Sequence, residues 1–243
     1  MDMEQRRKWN ENHKKLKEII LKTEEHSQIV QLFLFQHSLL HSSSIGQKVQ
    51  VTLEDEVMKN LDQTTFRQYP VPNPDTKNSI AWHLWHIARI EDMTMNILVN
   101  DDQQVLYTAN WLEKMNIAFA HSGNDMPEGD IAELSSRIDM DSLLAYRAAV
   151  GRQTQKVISS LIPGQFKTKV EQKRIKRLFD ENAVMQHSKW LAEYWSKKTI
   201  AGIILMPATR HIFLHLNKCI RIKDKLNKQS MKLIIDKKMV ALD

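Results

Sequence analysis

The sequence predicts an all-α protein, a four-helix bundle with long crossover connections and short extra helices. Three observations carry that prediction. Glycine and proline, the main punctuation of β-rich folds, number only six each in 243 residues. Leu, Ile, Lys, Glu, Gln and Met, which lose little rotamer freedom in a helix, are abundant. Four long stretches repeat apolar residues at three- and four-residue steps, and none alternates as a half-buried strand would.

The first stretch runs from about residue 10 to 42, with Leu16, Ile19, Ile20, Leu32, Leu34, Phe35, Leu39 and Leu40 as its stripe and HSSSIG as its end. TLEDEVMKNL predicts a short helix over 53–61, because a Thr cap is followed by acids in the first turn. YPVPNPDTKN, residues 69–78, holds three prolines and forbids a helix. The second long helix opens at Ser79 and ends near NDDQQ, with Ala81, Trp82, Trp85, Ile90, Met93 and Ile97 among its apolar positions. Residues 101–139 read as a connection with short helices, and HSGNDMPEGD as an exposed turn. DMDSLLAYRAAVGRQTQKVISSLIPG is the third long helix, capped by Asp or Ser at its start and stopped by Pro163 and Gly164. A basic amphipathic segment containing KWLAEYW follows to about 196. The fourth helix spans about 199–228, and Pro207 either kinks it or starts it.

One domain over 1–243 is expected, with a lysine-rich tail from about 227 and no internal repeat or second core. The net charge of +6 is spread among acids, as on solvated helix faces. The densest basic run, KTKVEQKRIKR, has no interleaved aromatics, which argues against a nucleic-acid partner. No apolar run reaches the roughly 20 residues of a membrane span, and the charged start lacks the apolar core of a signal peptide. A single cysteine, Cys219, permits neither an internal disulfide nor a cysteine-rich zinc site. The cytoplasm is the expected location.

Chemistry concentrates in the histidines. MPATRHIFLHLNKC places His211 and His215 four apart, one above the other on a helix face. FQHSLLHSS repeats that spacing at His37 and His41, so spacing alone decides nothing. AWHLWHIARIED adds His83 and His86 on a second apolar helix. Facing helices of a bundle bring such residues together in its interior. A buried neutral imidazole needs partners for both nitrogens, and one metal ion would satisfy a nitrogen on each of three rings. The bland alternative, histidines satisfied within the core, stays open at this level.

The embedded histidines of AWHLWHIAR and the late HxxxH make the chain resemble the DinB/YfiT-like superfamily over roughly residues 12–226. That resemblance implies a four-helix bundle of unusual connectivity, often dimeric, that binds one divalent metal, nickel or zinc, through three histidines. The second-helix ligand would be the histidine directly before the Ile87-Ala88 pair, His86, and the last-helix ligands His211 and His215. His83, one turn earlier, would sit beside the metal. The chain is longer than typical members. Its additional His37 and His41 lie at a helix end and are expected to be exposed or to line a pocket.

Three neutral imidazoles would leave an open position for water or for a thiolate. By resemblance the function is that of a thiol S-transferase or a hydrolase acting on a small molecule, with a low-molecular-weight thiol as possible co-substrate. The alternative is a non-catalytic metal-binding or protein-interaction bundle. Cys219, one turn past His215, reads as a small buried hydrophobe. Glu91 and Asp92 read first as surface partners of arginines, with the orienting of an imidazole by one of them as the alternative. Trp82, Trp85, Met93, Met95 and Met206 read as packing residues first and substrate wall second.

Overall fold

Four caps open helices where the sequence places them. Thr52 and Asp55 form a reciprocal capping box. Ser79 Oγ accepts from the Trp82 N–H at 2.9 Å, Asp139 Oδ1 from the Ser142 N–H at 2.8 Å, and Thr199 from the Gly202 N–H. The computed structural model describes residues 2–45 and 51–240. Its framework is built from α1 (Met3–Ile19), α2 (His26–Ser38), α3 (Ile80–Met93), α4 (Met140–Ser160), α5 (Ile200–Leu205) and α6 (Ile212–Val240). A π turn, Thr94–Asn100, extends α3, and a second, Met206–His211, joins α5 to α6. Four rods result: α2, α3 with its π turn, α4, and the α5–α6 composite. Short helices fill the connections. Among the described residues there is no strand, only the isolated bridges Asn73–Thr76 and Lys169–Thr199, and no helix long and apolar enough to cross a membrane.

The expected single helix over 10–42 is in fact α1 and α2, folded back on one another. Lys22 is extended between them. As one rod, the apolar face of α1 would project away from the bundle; folded back, it is buried. Trp9 stacks on Phe213 of α6 with centroids 4.1 Å apart and planes 7° apart. The lysine-rich end, expected as a tail, continues α6 as helix to Val240.

A second correction concerns the core. Buried apolar side chains form two clusters, not one. Along α3, Ile80 to Ala88 belong to the first and Ile90 onward to the second. Along the last rod, α5 and Ala208 belong to the second and Ile212 to Ile222 to the first. At the crossing each rod buries polar side chains: Gln36 and His37 on α2, His86, Arg89, Glu91 and Asp92 on α3, Thr154 on α4, and Thr209 on the π turn. This polar belt carries the chemistry.

Candidate metal centre

α3 is buried on every side from Ile80 to Met93, so any polar group on it must find a partner inside. His86 does so first through its Nδ1, 2.6 Å from the carbonyl oxygen of Ser122. A carbonyl only accepts, so Nδ1 carries the proton and Nε2 keeps its lone pair. That Nε2 lies 3.2 Å from His211 Nε2. His83 Nδ1 meets His215 Nδ1 at 2.9 Å, and His83 Nε2 faces the Thr76 hydroxyl at 3.3 Å. Trp82 stacks on the His86 ring at 4.5 Å. Donor atoms of His86, His211 and His215 all lie within 4.8 Å of one another.

Burial holds these rings neutral. It pushes His86 down to about 4 and His83 to about 3, His86 itself adding to the shift at His83. His211 and His215 are lowered by burial first and by the neighbouring histidines second. Neutral rings offer lone pairs at neutral pH. Two nitrogen–nitrogen contacts and a buried His211 Nδ1 with no hydrogen-bond partner leave the cluster short of donors. A three-nitrogen set of this kind fits a divalent ion such as zinc or nickel. His83 lies beside His215, one of the three.

The segment expected as an exposed turn supplies the His86 anchor. Ser122 and Gly123 are buried, and the Ser122 N–H donates to the Ala183 carbonyl at 2.9 Å. Gly123 has φ +81°, and a Cβ there would meet Trp85 Cζ3 at 2.5 Å. Arg89 Nε and Nη2 donate to the Ala120 carbonyl at 3.0 and 2.7 Å. Arg89 is held in turn by Asp92, 3.0 Å away, and by the Tyr146 hydroxyl. Composition and periodicity carried no sign of Arg89 in this role. The Ser-Gly pair signalled a turn, but not what the turn would touch.

His37 and His41, expected to be exposed or pocket-lining, are fully buried with ring centroids 4.4 Å apart. Glu91 and Asp92 are not at the surface either. Glu91 contacts His37 and His41, and Asp92 meets its arginine inside the protein. A carboxylate removed from water needs charged or N–H partners; Asp92 has them on both oxygens, and Glu91 has a hydrogen bond from His37 on one. Cys219 behaves as the small buried hydrophobe expected, its thiol pushed up to about 12 by burial. Met93 and Met95 pack in the second cluster.

His211 ends the π turn, and the cause of that turn is local. Pro207 has no N–H to donate backward, so the regular ladder cannot pass through it. The Thr209 hydroxyl donates to the carbonyls of Ile204 and Leu205, at 3.0 and 2.9 Å. Against His211 lies a cavity of about 260 Å³, walled by Ile90, Leu191, Trp195, Met206 and Pro207, with Asn124 and the half-exposed Trp190 and Tyr194.

A family model described as the DinB superfamily matches residues 52–206. That span includes His86 and stops short of His211 and His215. No curated protein matches the chain.

Proposed function

Because the chain belongs to the DinB superfamily, we propose that it is a metal-dependent enzyme in which His86, His211 and His215 hold one divalent ion, nickel or zinc. The observation that carries this reading is the convergence of three neutral imidazoles beside an apolar cavity of about 260 Å³. When bound, the ion supplies Lewis acidity toward a thiol or a water. The chain does the rest. Ser122 aims the His86 lone pair, the Trp82 ring fixes its plane, and the cavity wall seats an apolar part of a small substrate while excluding water.

Thiol transfer is favoured over hydrolysis. Hydrolysis calls for a side chain that moves protons between water and leaving group, yet the cavity lining holds no carboxylate, and its titratable side chains are His211 and Tyr194. A low-molecular-weight thiol would lose its proton to solvent before the chemical step, and as its C–S bond formed the electrophile would release its leaving group with no side chain moving a proton. A homodimer in the cytoplasm belongs to the same reading and is checked by sedimentation of the purified protein.

The test is elemental analysis followed by a screen of thiol–electrophile pairs. Loss of one equivalent of nickel or zinc in His211→Ala and in His215→Ala, relative to the wild-type chain and with helical circular dichroism retained, is the expected result. A metal content that neither change lowers refutes the ligand set. Stoichiometric metal with no turnover across the screen favours a non-catalytic metal-binding or protein-interaction bundle.

A further inference from the structure

We propose that His37, His41 and Glu91 form a second, closed site for one divalent transition-metal ion, separate from the three-histidine centre. His37 Nε2 lies 2.7 Å from Glu91 Oε1, and His41 Nε2 lies 3.1 Å from Glu91 Oε2, with no side chain more than 1% exposed. One donor atom from each residue falls within 4.8 Å of the others.

The two contacts are unequal. The first is a hydrogen bond. In the second, His41 Nε2 and Glu91 Oε2 face each other, are fully buried, and neither has a hydrogen-bond partner. A buried carboxylate oxygen left this way is costly unless a positive charge reaches it. Arg147 is already committed to Glu54, through Nη2 at 2.6 Å and Nε at 3.1 Å. An ion between the three side chains would satisfy both orphaned atoms. Two imidazoles and a carboxylate are a donor set for first-row divalent metals.

The surroundings are shaped for this cluster. Gly151 of α4 leaves the space that the His41 ring takes, since a Cβ there would lie 2.8 Å from His41 Nδ1. Thr154, one turn further along α4, buries a hydroxyl that has no hydrogen-bond partner. Glu91 follows His86 by five residues, which turns it about 140° around α3 at 3.6 residues per turn. The two sites therefore occupy different faces of one helix. With all three residues buried, the second site has the character of a structural clamp between the α2 end and α3.

The double variant His211→Ala/His215→Ala removes the first centre and isolates the second. Refolded with Co²⁺ and desalted, it should retain one equivalent by elemental analysis, released slowly to EDTA. Adding Glu91→Gln or His41→Ala should abolish that equivalent. A double variant that is helical but holds no cobalt overturns the site, as does cobalt that persists after Glu91→Gln, which would leave the cluster a proton-bridged pair. Should the double variant not fold, the wild-type chain decides: two equivalents falling to one with Glu91→Gln support the site. One equivalent that is lost with His215→Ala and kept with Glu91→Gln overturns this site alone and leaves the three-histidine reading standing.

Discussion

His86 is aimed by groups far from it in the chain, so single changes away from the histidines should reach the centre. Gly123 combines a left-handed backbone with a 2.5 Å approach to Trp85. Gly123→Ala should cost about 1–3 kcal/mol through overpacking and strain. By shifting the Ser122 carbonyl it should also weaken metal binding about 10–100-fold, the usual effect of losing a group that orients a ligand. Urea unfolding and a metal titration read the two effects, and unchanged values in both would contradict this account. Arg89 is the second such residue. Asp92 accepts from Arg89, Tyr146, Asn96 and the N–H groups of Val105 and Leu106. Arg89→Met removes the only cation of that set and should destabilise the fold by about 3 kcal/mol. A loss under 1 kcal/mol, roughly the value of an exposed pair, would show that the N–H donors suffice.

Among the elements, α3 is the unusual one. It presents His83 and His86 to the last rod and Glu91 to the α2 end, and it is buried all round. Both rods that carry the histidine centre contain a π turn, and in each a threonine hydroxyl answers carbonyls of the preceding turn. Thr94 donates to Ile90 and Thr209 to Ile204 and Leu205. Wide turns of this kind recur at functional sites because they rotate the following residues relative to the helix before them. Thr209→Val keeps the shape and removes both bonds. It should cost about 1–3 kcal/mol, since buried carbonyls are left with weakened partners, and should lower metal affinity through His211. Stability and affinity both equal to wild type would rule out a positioning role for Thr209.

The whole molecule is two apolar clusters with a buried polar belt between them, and the belt makes stability depend on pH. In the metal-free chain, His86 and His83 have folded values of about 4 and about 3, below the ordinary 6.5. Between those limits the unfolded chain binds protons that the folded chain refuses. The stability is therefore complete above about pH 6.5 and is lost as pH falls from there toward 3–4. The loss by pH 5 should be on the order of 2 kcal/mol for each such histidine. Glu91, held low by His41 and His37 despite its burial, adds its own loss at still lower pH. Urea midpoints of chelator-treated protein at pH 7.5 and pH 5 test the sign. A midpoint that rises toward acid would mean that the histidines are protonated in the folded state.

What could be read from the residues alone was local, though not all that is local: the break at Lys22 inside the expected first helix went unread. Scarce Gly and Pro, three- and four-residue periodicity and the caps at Thr52, Ser79, Asp139 and Thr199 announced the helices. The resemblance carried by AWHLWHIAR and HxxxH implied His86, His211 and His215 as a ligand set, and the fold brings donor atoms of all three within 4.8 Å of one another. Helix period and capping are set by neighbours within about four residues, so they leave a trace in the sequence. Long-range partners leave none. The fold-back of α1 on α2 depends on which apolar faces meet, and Phe213 is 204 positions from the Trp9 it covers. Glu91 and Asp92 looked like surface charges because a carboxylate is costly to bury unpaired. Arg89 and Asn96 lie within four residues of Asp92, but the partners His37, His41 and Tyr146 lie 50 to 54 residues from the carboxylates they meet. Only packing could bring those groups together and make burial tolerable, and so the tertiary structure alone decided where the polar belt lies.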